Sequence, residues 1–249
     1  MAFFDILGTI EGWTYLLILT LLEVVLGIDN IIFISIVTDN LPKERKRKAR
    51  NIGLTLALVV RLFLLAIVSV IIGMTSPLFC LFGFDFSGQN LVLLIGGLFL
   101  IYKSTIEMHN SVKGDDESEK NKTKSTMAGI ITQIVLVDLV FSFDSVISAV
   151  GMTNGIRNES GHDPMVIIYF SVIVSMIVML LFSGQISKFI SDNPTVKMIA
   201  LSFLVTIGVL LVAEAFHQHI PKGYVYFALV YSLIVEFLNI RMRRNKGDE

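Results

Sequence analysis

Leu22-Glu23-Val24-Val25-Leu26-Gly27-Ile28-Asp29-Asn30-Ile31-Ile32 places two carboxylic acids and an amide inside a run that is otherwise lipid-soluble. A second copy follows at Val137-Asp138-Leu139-Val140-Phe141-Ser142-Phe143-Asp144-Ser145-Val146-Ile147, with acid, acid, small polar residue and two branched aliphatics in the same register. An ionisable group at membrane depth costs about 2.5 to 3.5 kcal/mol on insertion scales. Four of them in two matched positions therefore point to function rather than to accident.

The surrounding composition sets the class. Of 249 residues 54% are hydrophobic and 16% charged, against about 25% charged in soluble proteins, and the mean hydropathy is +0.75. This predicts an all-α, polytopic membrane helix bundle. The net charge of −1 conceals strong segregation of charge along the chain, and nothing in it favours nucleic acid as a partner. The single cysteine, Cys80, excludes a disulfide framework and a thiolate metal cluster. Met1 to Asp5 lack the basic region of a secretory signal, so the first apolar span is expected to be retained.

Seven spans are expected: Trp13 to Val37, Ile52 to Ile72, Asn90 to Ile106, Met127 to Val150, Pro164 to Gly184, Val196 to Phe216 and Tyr224 to Ile240. Each is long enough to cross a hydrocarbon core at 1.5 Å rise per residue. The basic cluster Lys43 to Arg50 and the closing Arg241, Arg243, Arg244 and Lys246 mark the cytoplasmic face by the positive-inside rule. The N-terminus is then outside and the C-terminus cytoplasmic, with only Arg157 and Lys222 of the twenty Lys and Arg external and Arg61 deep within a span. Residues 111–125 are almost entirely Lys, Asp, Glu, Ser and Asn and predict a cytoplasmic linker that buries little apolar surface. Pro77 and Gly83 to Gly88 predict an external loop. All five prolines fall in loops or at span ends, so a break inside a helix would have to rest on Gly27 or Ser142, two residues before Asp29 and Asp144.

The second acidic copy lies three spans after the first, and three is odd, so the two spans cross in opposite directions. The expected domain plan is one transmembrane domain over 1–249: a three-helix repeat at 13–106, the linker, an inverted three-helix repeat at 127–216, and a seventh helix at 224–240. Transporters with inverted repeats bind their cargo near the midplane at the repeat interface. Residues six apart on a helix are separated by about 9 Å along the axis and about 120° around it. Glu23 and Asp29 therefore cannot share one ion on an unbroken helix. Antiparallel placement instead sets Glu23 level with Asp144, and Asp29 level with Asp138.

Four carboxylates crowded there lack water and repel one another, so a cation or protons must offset them. The oxygen-only donors Asp29, Asn30, Asp138, Asp144, Ser145 and Glu23, with Ser142 as a secondary member, suit Mg, Ca or Mn better than Zn or Cu. Arg61 is expected as a structural counter-ion, and Glu214, with His217 and His219 beyond it, as a candidate external vestibule. The reading is a transporter with a divalent ion and possible protons as cargo, embedded in lipid, with no cofactor and no enzymatic step.

Glu23 to Phe33 and Asp138 to Val146 resemble the paired motifs of the TerC integral membrane family. Pro42-Lys43 through Arg50, Leu94 to Leu100 and Pro221 to Ala228 fit a bacterial branch of it, so the resemblance covers nearly the whole chain. It implies a manganese exporter of the bacterial cytoplasmic membrane with a 3+3 inverted repeat, and carries over Asp29, Asn30 and Asp144 as metal-site positions. Ser145 stands where the first motif has Asn30. Relatives in this branch can carry a cytoplasmic nucleotide-sensing extension after the last span, which is not expected here. Two alternatives remain. An intramembrane aspartyl protease also needs two membrane aspartates, but neither lies in a Gly-x-Gly-Asp context and no Pro-Ala-Leu segment follows. A non-transporting adaptor of a metal-stress complex would use the acids structurally.

Overall fold

A computed structural model describes residues 8–67, 77–81, 84–113, 126–160, 165–218 and 220–246. Seven helices among them are long and apolar enough to cross a membrane. They are α1 (Ile10–Asp39), α2 (Lys43–Ala66), α3 (Gly88–Lys113), α4 (Met127–Ser160), α5 (Met165–Asp192), α6 (Pro194–Ala215) and α7 (Lys222–Lys246), with a hairpin of β1 (Pro77–Leu81) and β2 (Phe84–Ser87) between α2 and α3.

Local sequence explains the boundaries. The Thr9 hydroxyl accepts from the Gly12 amide at 3.0 Å and caps α1. Thr126 does the same for Gly129 at the start of α4, and Ser87 for Asn90 at the start of α3. Pro194 occupies the first turn of α6, where its missing N–H goes unmissed. At the other end His217 adopts φ 59°, while Gln218 N–H reaches back to Ala213 O and His217 N–H to Glu214 O, both at 3.0 Å. That pairing closes the last turn of α6 in a Schellman motif.

The helices run past the expected spans. Lys43 to Arg50, the basic cluster ahead of the span expected from Ile52, form the first two turns of α2 behind Pro42, because Lys and Arg are good helix formers. The loop expected to be external contains the β1–β2 hairpin, in which Phe79 stacks on Phe86 and Phe86 meets Phe216 edge-on, each at 5.6 Å between ring centroids. Residues 114–125 of the expected linker lie outside the described residues.

Helix α1 packs chiefly against α5 and α4, α2 against α4, and α3 against α6. Exchanging the first three helices with the next three leaves these main pairings unchanged. The tightest approach is reciprocal: a Cβ on Gly97 would lie 2.7 Å from Gly208 O, and one on Gly208 would lie 2.9 Å from Gly97 O. The start of α3 meets the end of α6, with Asn90 Nδ2 3.3 Å from His217 Nε2, so the two helices are antiparallel. Small residues at such crossings let backbones pack closely without a hydrophobic driving force. Large apolar side chains such as Leu21, Phe63, Ile95, Leu181 and Phe227 face outward, as a bilayer solvent requires. Helix α7 is peripheral, with 11% of its most apolar stretch buried against 50% in α1 and α6.

Candidate metal site

Both acidic motifs lie on unbroken helix, so the unwinding considered at Gly27 and Ser142 does not occur. Gly27 instead admits the Met179 side chain of α5, whose sulfur would clash with an added Cβ. Helices α1 and α4 touch along the motifs in antiparallel register. Asn30 Nδ2 donates to Asp138 Oδ1 at 2.8 Å. This pair sets a register a single residue away from the Glu23–Asp144 and Asp29–Asp138 alignment expected.

Arg61, from α2, divides the acids. Its Nη1 donates to Glu23 Oε2 at 2.6 Å, its Nη2 to Asp138 Oδ1 at 3.0 Å and its Nε to Ser142 Oγ at 2.9 Å. Ser142 in turn donates to Asp138 Oδ2 at 3.1 Å. All four side chains are buried. Glu23 and Asp138 hold matching positions in the two motif copies, and one guanidinium bridges them. Charges removed from water this completely persist only where geometry and extra hydrogen bonds compensate desolvation, and Ser142 and Asn30 supply such bonds.

Asp29 stands apart from Arg61's ion pairs. Its Oδ2 accepts from the Tyr226 hydroxyl of α7 at 3.0 Å. Its Oδ1 has no hydrogen-bond partner among the described residues, and neither does the neighbouring Asn30 Oδ1. Both side chains are nearly inaccessible, at 2% and 3% exposure. A buried acceptor left unpaired costs about 1 to 3 kcal/mol, and more if charged. Asp29 borders a cavity of about 20 Å³, walled by Leu26, Phe141 and Ile207 and edged by Lys222 and Tyr226. About 10 to 15 Å³ is enough for one water-sized species.

The profile of the "Integral membrane protein TerC family" matches residues 9–248. The chain belongs to the TerC family. It is 45% identical over 236 residues to the UPF0053 inner membrane protein YgdQ of Escherichia coli K12, covering 94% of this chain and 95% of that protein. It is 46% identical over 234 residues to the inner membrane protein YoaE of the same strain, but spans only 43% of YoaE's length. A UPF0053 protein of Haemophilus influenzae is 43% identical over 242 residues, covering 97% of this chain and 98% of that protein. No solved structure matches. Named inner-membrane relatives and seven membrane-length helices agree on a multi-pass integral membrane protein.

In this TerC-family chain the remaining candidates fall as follows. The backbone of Asp144 lies on α4 beyond Ser142, while its side chain, like His219, lies outside the described residues. Ser145 is buried and donates to Ser142 O at 3.3 Å. Glu214 pairs with Lys222 at 3.6 Å, which joins the expected vestibule to the edge of the Asp29 cavity. Glu107 accepts from Asn40 at 2.9 Å, tying α3 to the end of α1. Among the described residues no three His, Cys, Asp or Glu side chains converge; Asp29 and Asn30 are consecutive on α1, and each keeps one buried oxygen without a partner among the described residues.

Two features escaped the sequence reading. Tyr226 was visible only as part of a family-like stretch, since an aromatic in the first turn of an apolar helix ordinarily reads as an interface anchor. Asp39, at the end of α1, bonds Lys46, Ser191 at 2.9 Å and Lys197 at 3.2 Å, gathering α2, α5 and α6 at one end of the bundle. Its only signal was an acid placed among basic residues.

Proposed function

We propose that this TerC-family protein exports a divalent cation, Mn2+ foremost, across the bacterial inner membrane through a site centred on Asp29 and Asn30, with Asp144 contributing from α4. The supporting observation is the pair of buried, unpartnered oxygens, Asp29 Oδ1 and Asn30 Oδ1, on a helix at the centre of the bundle. Hard carboxylate and amide oxygens suit Mn2+ and Mg2+, and the absence of thiolate or imidazole donors from this pair disfavours softer metals. Glu23 and Asp138, bridged by Arg61, fix the spacing of α1 and α4 around the site.

The reciprocal Gly97–Gly208 crossing and the exchange-symmetric helix packing support an inverted repeat of α1–α3 and α4–α6, with α7 added, and hence alternating access. The basic cluster of α2 and the basic end of α7 support an external N-terminus and a cytoplasmic C-terminus. Metal, with protons as competitors, is the cargo, and the reading includes no cofactor and no enzymatic step. The Arg61 cluster also favours a second reading, in which the acids are structural and the protein is a non-transporting adaptor. Metal flux through purified protein in liposomes separates the two.

A further inference from the structure

We propose that Tyr226 determines which divalent cations the site accepts, by confining Asp29 to coordination through a single oxygen. The inference rests on the reading of Asp29 as a cation ligand and adds a specificity residue from the seventh helix. The Tyr226 hydroxyl occupies Asp29 Oδ2 at 3.0 Å, leaving Oδ1 as the oxygen without a partner. The phenol comes from the peripheral α7, where its ring lies 5.8 Å from that of Phe203 on α6. The cavity beside Asp29 holds about 20 Å³ and has mainly apolar walls, so few oxygens are available there to complete a coordination shell.

Cations differ in what this arrangement denies them. Ca2+ takes about 6 to 8 oxygens at about 2.3 to 2.6 Å and readily uses both oxygens of one carboxylate. Mg2+ and Mn2+ accept octahedral shells in which a carboxylate gives one oxygen. A hydroxyl donor held on Oδ2 therefore penalises Ca2+ more than Mn2+. Removing that donor while keeping the ring should relax the discrimination.

The test is calorimetric titration of the purified full-length protein with Mn2+ and, separately, with Ca2+, in wild type, Tyr226→Phe and Phe203→Leu. Tyr226→Phe should leave the Mn2+ Kd within about twofold and tighten the Ca2+ Kd by about fivefold or more, because both Asp29 oxygens become available. Phe203→Leu disturbs the α6–α7 packing but keeps the hydroxyl, and should leave the ratio of the two constants at its wild-type value. A Tyr226→Phe ratio equal to wild type, or one moved equally by Phe203→Leu, overturns the proposal. A wild-type protein that binds neither ion overturns the cation reading itself, and is recognised by its silence before any variant is compared.

Discussion

Asn30 Nδ2 donates to Asp138 Oδ1 at 2.8 Å, joining the first acidic motif to the second across the α1–α4 contact. The same Asp138 oxygen accepts from Arg61, which also holds Glu23. A single bond thus connects the cluster in which Glu23 and Asp138 share Arg61 to Asp29 and Asn30, each of which keeps an oxygen without a hydrogen-bond partner among the described residues. The amide is oriented by this bond: with its nitrogen committed to Asp138, its oxygen is the group that the proposed cation site would use.

The cluster predicts a particular pattern of stability. Removing Arg61 strands two buried carboxylates, so Arg61→Met should cost about 3 to 5 kcal/mol, whereas Asp138→Ala leaves Glu23 and Arg61 paired and should cost less. Replacing the charges together, as Glu23→Gln/Arg61→Met/Asp138→Asn, should recover most of the Arg61→Met loss. Thermal unfolding in detergent measures it; a triple variant less stable than Arg61→Met would contradict the account.

The α3–α6 crossing predicts equivalence. An alanine Cβ at Gly97 or at Gly208 meets the other's backbone oxygen at 2.7 or 2.9 Å, and backbone cannot yield as a flexible side chain does. Gly97→Ala and Gly208→Ala should each destabilise by about 1 to 3 kcal/mol, and by similar amounts, in the same unfolding assay. Sharply unequal losses would count against a reciprocal crossing.

Topology is testable with the native sequence. Cys80, the sole cysteine, is exposed on the β1–β2 hairpin. With the N-terminus outside, this hairpin is external, and a membrane-impermeant maleimide should label intact spheroplasts to the same extent as lysed ones. Labelling only after lysis would invert the orientation.

Much of this was legible in the sequence because acids inside apolar runs are costly and therefore conspicuous. The spans followed from hydropathy, and the α1–α4 pairing from the repeated spacing, to within one residue of register. Arg61 was recognisable as a counter-ion, but its choice of Glu23 and Asp138 depends on which way α2 faces, and hydrophobic patterning does not define that when a helix is apolar on several sides. Gly27 was ambiguous between unwinding and close packing, and Met179 decides it for packing. Tyr226 was hidden because its role comes from a partner 197 positions away in the chain.

The central claim is that Asp29 is a cation ligand on a transport path, and Mn2+ flux into liposomes containing the purified protein tests it most directly. Wild-type vesicles should accumulate Mn2+ well above empty ones, and Asp29→Ala should fall to the empty-vesicle level while eluting as a folded, monodisperse protein. Wild-type flux no greater than that of empty vesicles, or full flux through Asp29→Ala, would contradict it.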